Sequence, residues 1–194
     1  MIFGIKVIKG SELPDGHELR KHKGRFVFGG HDVRDEEKQH AIFQELSASP
    51  AGITAAKFAD SYGCLQGNNV QQCDAVQAYV QAQLGGDVIT WVRIPKEYWP
   101  DEWTTKQYRD PVVILDKALY GHPDSGGYWE KHAEAKLRNI GFRPLHQSWQ
   151  SCFWHDRLQL LLVLYVDDFK MAGPKDNLSK GWKMIQMVIT TDEV

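Results

Sequence analysis

Two adjacent aspartates near the end of the chain, Asp167 and Asp168, are the residues that most directly suggest chemistry. One apolar run, residues 160–164, precedes them, and a second short run, residues 169–172, follows. Strand, two acids and strand together predict a β-hairpin with carboxylates at its tip. Two anionic groups on a stiff turn repel each other, and a divalent cation would relieve that repulsion. Aspartate also stabilises turns through its own backbone, so a purely structural turn is the alternative.

A third carboxylate, Asp74, ends another predicted strand that begins near Val70. A two-metal phosphoryl-transfer site takes its acids from separate elements, so that two cations about 4 Å apart are bridged. An aromatic residue, Tyr79, follows Asp74 in a stretch that predicts a helical turn. We therefore take Asp74 as the best partner for the acids of the hairpin.

The overall composition restricts the class of protein. The chain has 194 residues, 42% of them hydrophobic and 25% charged, which argues against disorder and allows one core or two small lobes. A net charge of −2 argues against broad adhesion to nucleic acid. Residues 20–25 nevertheless concentrate positive charge. That run is either one wall of a basic groove or a solvated loop.

The cysteines and histidines argue against a disulfide framework and a zinc site. The three cysteines are widely spaced without a CxxC pair, and the eight histidines are scattered. The first residues lack the features of a signal peptide, and the longest apolar run is too short to span a membrane. We expect a soluble intracellular protein with reduced thiols.

The elements predicted around the acids suggest a mixed fold. Apolar spacing predicts helices over 51–65, 125–140 and 176–188, with Ser125 as the N-cap of the second. A strand over 152–154 leads into the hairpin. Antiparallel hairpins with interspersed helices favour an α+β fold, with helices on one face of an antiparallel sheet.

Several features occur in a fixed order along the chain. They are Lys23-Gly24-Arg25-Phe26-Val27, Asp74 with Tyr79, Trp91-Val92-Arg93-Ile94-Pro95-Lys96-Glu97, Leu115-Asp116-Lys117-Ala118-Leu119-Tyr120-Gly121, Trp129 and Tyr165-Val166-Asp167-Asp168. Together they resemble the reverse transcriptase domain of copia-type LTR retrotransposons. The resemblance covers roughly residues 20–175.

The resemblance implies a right-hand polymerase fold for residues 1–194, with an antiparallel palm sheet and a fingers subdomain. The fingers would comprise approximately 1–60 and 82–118, and the palm approximately 61–81 and 119–194. The thumb would be missing, so the chain would be a truncated fragment. The full polyprotein would also carry ribonuclease H and integrase segments.

The resemblance also implies the roles of the site residues. Asp74 and Asp167 would be the main ligands of two Mg²⁺ or Mn²⁺ ions, with Asp168 assisting. Tyr79 would lie beneath the incoming sugar and select deoxynucleotides, although a plain core aromatic is the alternative. Arg25 and Lys23 would bind the triphosphate of the incoming dNTP.

The partners implied are an RNA or DNA primer–template, held mainly through its backbone, and dNTPs. The location implied is intracellular: cytoplasm, nucleus or virus-like particle. One segment departs from the family, because residues 122–127 replace a Gln-Ala-Pro-Arg-like stretch near the nucleotide. An acid there, Asp124, would repel a triphosphate.

Other functions remain open on sequence alone. An inactive transposon relic or a non-catalytic nucleic-acid-binding protein would carry the same segments. A generic metal-dependent nuclease would use the same carboxylates but would not explain Tyr79 or the basic strand at Arg25. The stretch 124–127 resembles the nucleophile box of chymotrypsin-like proteases, but no matching histidine box precedes it.

Overall fold

The structure, a computed structural model, describes residues 2–9, 14, 17–18, 21–35, 37–41, 50–86 and 89–193; the side chains of 2–9, 21–25 and 32 lie outside that description. The chain forms two compact units, each built from two separate stretches of sequence. The first unit comprises Met1–Glu45 and Leu84–Ser125. The second unit comprises Leu46–Gln83 and Gly126–Val194.

The described residues form a mixed set of strands and helices. The strands are β1 (Ile2–Lys9), β2 (Lys21–Phe28), β3 (Asn68–Asp74), β4 (Trp91–Arg93), β5 (Val112–Ile114), β6 (Arg143–His146), β7 (Trp149–His155), β8 (Leu160–Tyr165) and β9 (Asp168–Pro174). The helices are α1 (Ile53–Gly63), α2 (Ala78–Gln81), α3 (Asp101–Thr105), α4 (Ser125–Asn139) and α5 (Lys175–Gln186). Within these ranges no helix combines the length and the apolar character that crossing a bilayer requires.

The fold is α+β, with a five-stranded antiparallel sheet in the second unit. Its strand order is β3-β9-β8-β7-β6. The predicted hairpin is confirmed, because β8 and β9 pair antiparallel around the two aspartates. In the first unit, β1 pairs with β2 and β4 pairs with β5, in two separate two-stranded sheets.

The prediction that the helices cover one face of the sheet is wrong. Helix α1 packs into a core with Leu161 and Ala172, whereas Gly181 of α5 lies against Leu160 and Met171. Successive residues of a strand point to opposite faces, so α1 and α5 cover opposite faces. The continuous apolar run of β8, which is buried from residue 160 to 164, is typical of a strand enclosed on both sides.

Two backbone segments of the first unit approach each other closely at Gly121. The backbone N–H of Phe28 donates to the carbonyl of Tyr120 at 2.6 Å. A Cβ atom at Gly121 would collide with the carbonyl oxygen of Phe28, and the positive φ of 91° also favours glycine. This glycine therefore permits the chain after Leu119 to lie directly against the end of β2.

Helix α4 begins at Ser125 itself, so the prediction that Ser125 is its N-cap is wrong. The Ser125 hydroxyl donates to the carbonyl of Leu119 at 2.8 Å and accepts from the N–H of the same residue at 2.9 Å. Both hydrogen bonds close the loop that precedes the helix. Ser125 is 1% exposed, so these bonds also satisfy a buried hydroxyl.

Candidate functional site

The three predicted acids lie together at one end of the central sheet. Asp74, the last residue of β3, is directly opposite Asp168, the first residue of β9. Opposed residues in antiparallel strands have Cβ atoms about 4.5–5.5 Å apart. Asp167 lies in the adjoining turn, and its carbonyl accepts a 2.7 Å hydrogen bond from the N–H of Ala75. Two segments remote in sequence thus present carboxylates at one place.

The neighbouring acids affect the pKa of Asp168. Partial burial of its carboxyl, the negative charges of Asp74 and Asp167, and a hydrogen bond with Asp74 all raise the pKa of Asp168. Like charges directly opposite each other destabilise a strand pair. Asp74 and Asp168 are nevertheless opposite each other in this fold.

The backbone of the turn between the two strands is strained at Val166. Tyr165 and Asp168 pair, which leaves Val166 and Asp167 as the two central residues. Val166 has a positive φ of 58°, which a β-branched side chain rarely adopts. Positive φ at the first central residue alone is the pattern of a type II′ turn, where glycine is usual.

A buried tryptophan donates a hydrogen bond to the backbone of this turn. The indole N–H of Trp129, in α4, donates to the carbonyl of Val166 at 2.7 Å. Trp129 is 1% exposed, so its position is fixed by packing as well as by this bond. Sequence analysis named Trp129 as part of the ordered set of features, and its helical spacing predicted a buried position, but it did not predict the contact with the turn. The structure identifies it as the side chain that anchors the acid-bearing turn.

Residues 190–192 hydrogen-bond to the backbone around Asp74. Sequence reasoning missed this support. The N–H of Asp192 donates to the Asp74 carbonyl at 2.8 Å, and the N–H of Val76 donates to the carbonyl of Thr190 at 3.0 Å. The thiol of Cys73 donates to the carbonyl of Asp192 at 3.0 Å. Such a polar segment has no apolar periodicity, so the sequence carried no signal for this pairing.

Tyr79 lies near enough to Asp167 for that carboxylate to affect its pKa. It is half-buried in the short helix α2, and burial, the charge of Asp167 and the charge of Glu130 raise its pKa in that order. Gln77, immediately before α2, adopts the left-handed conformation with a φ of 51°. This left-handed residue redirects the chain between Asp74 and Tyr79.

Gln81 fixes that turn and is a second residue that sequence reasoning missed. Its side-chain amide donates to the carbonyls of Val76 at 2.8 Å and Thr190 at 2.9 Å. Its side-chain oxygen accepts from the N–H of Thr190 at 2.9 Å. One amide side chain therefore ties both sides of the segment that carries Tyr79.

Lys23 and Arg25 belong to the first unit. Both lie in β2, opposite Val7 and Ile5 of β1. Their side chains are outside the described part of the structure, so their role as nucleotide ligands stays a prediction.

Comparisons with known proteins do not assign this chain to a family. No protein-family model and no curated protein matches it. Its function therefore has to be inferred from its residues and their geometry.

The acids fit a divalent cation by their chemistry. Among the described residues, no group of three or more His, Cys, Asp or Glu side chains is already gathered in metal-binding geometry. Asp74 and Asp168 are nevertheless paired, and Asp167 is close enough to raise the pKa of Asp168. Carboxylate oxygens are the ligands that Mg²⁺ and Mn²⁺ prefer. The donor set is therefore suited to these ions.

Proposed function

We propose that this chain is the fingers and palm part of an RNA-directed DNA polymerase, a reverse transcriptase of the copia retrotransposon type. The observation that carries the proposal is the register of β3 and β9, which sets Asp74 opposite Asp168 beside Asp167. A structural turn needs only the Asp167–Asp168 pair. The third acid, brought from a remote strand, is the feature that favours metal-dependent phosphoryl transfer.

In this proposal Asp74, Asp167 and Asp168 hold two Mg²⁺ or Mn²⁺ ions. The bound metal would activate the primer 3′-hydroxyl and neutralise the leaving pyrophosphate. The work of the protein is to position the carboxylates before substrate arrives. Trp129 does this for the turn, through its bond to Val166, and the register of β3 does it for Asp74.

The remaining residues would bind the substrates. Tyr79 would contact the sugar of the incoming dNTP and exclude a 2′-hydroxyl, which agrees with its position near Asp167. Lys23 and Arg25 would bind the triphosphate. The second unit would be the palm that carries the acids, and the first unit the fingers. A primer–template, and ribonuclease H and integrase segments of a polyprotein, would be the partners in the cell.

Primer extension on an RNA template with Mg²⁺ or Mn²⁺ tests the proposal. We expect Asp167→Asn to reduce extension by about a hundredfold or more, the scale seen when one electrostatic contact to a reacting group is lost. Asp176→Asn, an exposed acid of α5, is the matched control and should extend normally. Equal extension by native protein and Asp167→Asn would assign the activity to a contaminant.

Two further outcomes separate the alternatives. Binding of primer–template without extension by the native chain would indicate a non-catalytic nucleic-acid-binding protein. Cleavage of the template without extension would indicate a nuclease. Tyr79→Ala distinguishes a polymerase further, because it should raise incorporation of ribonucleotides relative to deoxyribonucleotides. An unchanged ratio would remove Tyr79 from the sugar site.

A further inference from the structure

A second candidate site lies in the second unit, on the face of the sheet that α1 covers. It is a cleft with a volume of about 350 Å³. Small-molecule sites typically have volumes of about 300–1,000 Å³ and mainly apolar and aromatic walls. The residues that line it are Phe58, Tyr62, Arg143, Leu145, Trp154 and Leu161.

The cleft follows from how α1 sits on the sheet. Helix α1 packs against β3, β9 and β8, the first three strands in the order of the five-stranded sheet. Phe58 and Tyr62 of the helix reach Trp149 and Trp154 of β7, and β6 lies beyond β7 at the edge of the sheet. Phe58 and Tyr62 therefore form one wall, Leu145 and Trp154 the other, and Leu161 of β8 lies between them. None of these residues belongs to the acidic site.

The aromatic walls are held in place before any ligand binds. Tyr62 packs against Trp154 with ring centroids 5.9 Å apart, and Phe58 packs edge-to-face on Trp149 at 5.4 Å. The Tyr62 hydroxyl also donates to the carbonyl of Gln159 at 3.0 Å, which fixes its ring. Rings that are already ordered lose little conformational entropy on binding, which favours affinity for a flat apolar body.

Arg143 supplies a polar group at the cleft. Its Nε and Nη2 atoms donate to the Asp156 carboxylate at 2.8 and 2.9 Å, in a two-point ion pair at the surface. Its Nη1 atom makes no hydrogen bond to any residue that the structure describes. The Asp156 carboxylate balances the charge of this guanidinium, but the Nη1 edge can still donate to an acceptor, and a carboxylate is the acceptor that a guanidinium binds best.

We propose that this cleft binds a small planar aromatic molecule that carries one anionic group, such as an aromatic carboxylate. The aromatic body would lie in the cleft against Phe58, Tyr62 and Trp154, and the anionic group would accept from Nη1 of Arg143. Volume, ring arrangement and the single charged donor together favour a small molecule over an extended polypeptide. The proposal is independent of the polymerase function, because it uses none of the same residues.

Calorimetric titration of the full chain with 2-naphthoate tests the proposal. We expect saturable one-to-one binding. Trp154→Ala removes one wall, and Leu145→Trp fills the cleft, so each should weaken binding by about tenfold or more. One variant removes side-chain volume and the other adds it, because either change alone could disturb the fold. Trp91→Leu, an exposed aromatic of the first unit, is the control and should bind like the native chain.

The charge of Arg143 is tested separately. The native chain should prefer 2-naphthoate to the neutral analogue 2-naphthol, and Arg143→Leu should abolish that preference while still binding both. Absence of saturable binding, or equal binding by the cleft variants and the native chain, would overturn the proposal. Self-association of the chain that buries Phe58 and Trp149, without binding of 2-naphthoate, would also overturn the proposal. That result would identify a polypeptide as the occupant of the cleft.

Discussion

The two units differ in how their strands are stabilised. The second unit has a five-stranded sheet whose central strand, β8, is enclosed by helices on both faces. The described residues of the first unit form two separate two-stranded sheets. In β4 and β5 the opposed pair Trp91 and Ile114 is exposed, by 55% and 52%. Isolated two-stranded hairpins are marginal in water, whereas three or more strands with packed faces are stable.

This difference matches the demands of the proposed chemistry. Carboxylates that hold metal ions must stay within a fraction of an ångström of their working positions. Asp74 and Asp168 stand at the ends of two paired strands of the stable sheet. The residues proposed to bind nucleotide in the first unit, Lys23 and Arg25, lie on a two-stranded sheet. We infer that the second unit supplies rigidity and that the first can tolerate adjustment.

The largest expected effect is on the core beneath the acids. Phe169 follows Asp168 directly and is completely buried. Phe169→Ala should lower the free energy of unfolding of the second unit by about 3–5 kcal/mol, because a large ring is lost and a cavity remains. The matched change in the first unit, Val92→Ala, removes far less apolar surface and should cost about 1–2 kcal/mol.

Hydrogen exchange measured by mass spectrometry checks this pair of substitutions. Peptides from each unit report the opening free energy of that unit alone. The comparison of the units would be wrong if both substitutions lowered protection by the same amount in both units.

Trp129→Phe tests the support of the acid-bearing turn. Phenylalanine keeps most of the packing but has no N–H, so the carbonyl of Val166 loses its 2.7 Å hydrogen bond. We expect a loss of about 1–3 kcal/mol in urea unfolding, the cost of an unsatisfied buried acceptor, and slower primer extension. Trp149→Phe is the control, because the Trp149 indole makes no hydrogen bond to the residues described. Equal losses would show that ring volume, not the hydrogen bond, matters at Trp129.

The elements that could be predicted from sequence are those with strong apolar patterns. The β8–β9 hairpin, α1 and α5 follow from their apolar residues, and the structure contains all three within a few residues of the expected bounds. Strand β6 was not predicted, because Arg143 and Pro144 give it neither apolar alternation nor a strand-like composition.

The parts of the site that could not be predicted depend on single hydrogen bonds between remote residues. Gln81 contacts Val76 and Thr190 through its amide, and glutamine at a helix end carries no signal for such a partner. The burial of β8 on both faces was missed for another reason. A run of five apolar residues predicts a buried strand, but it does not say which elements cover it.

Val166→Gly tests the strain in the turn. The left-handed conformation of Val166 costs about 1–3 kcal/mol, and glycine would remove that cost at an entropic penalty of about 0.5–1 kcal/mol. We expect the free energy of unfolding of the second unit to rise by about 1 kcal/mol in urea titration. Val70→Gly, in β3 with ordinary strand geometry, should destabilise the same unit. A loss at both positions would mean that the Val166 side chain contributes more by packing than its backbone costs.

The smallest expected effect is a pH dependence in the first unit, at His122. Its Nδ1 accepts from the N–H of Asp124 at 3.2 Å, so the neutral ring carries its proton on Nε2, 3.3 Å from the Thr90 hydroxyl. Burial lowers the pKa of His122, and the Asp124 carboxylate offsets this only in part.

Because the unfolded chain then binds more protons than the folded one, stability falls as the pH drops below about 6.5, the ordinary value for histidine. We expect the protection of first-unit peptides from hydrogen exchange to fall between pH 7 and pH 5 in the native chain. In His122→Gln this fall should be smaller. His40→Gln, an exposed histidine of the same unit, should leave it unchanged. A decline of equal size in second-unit peptides would assign the effect to other groups, since His122 lies only in the first.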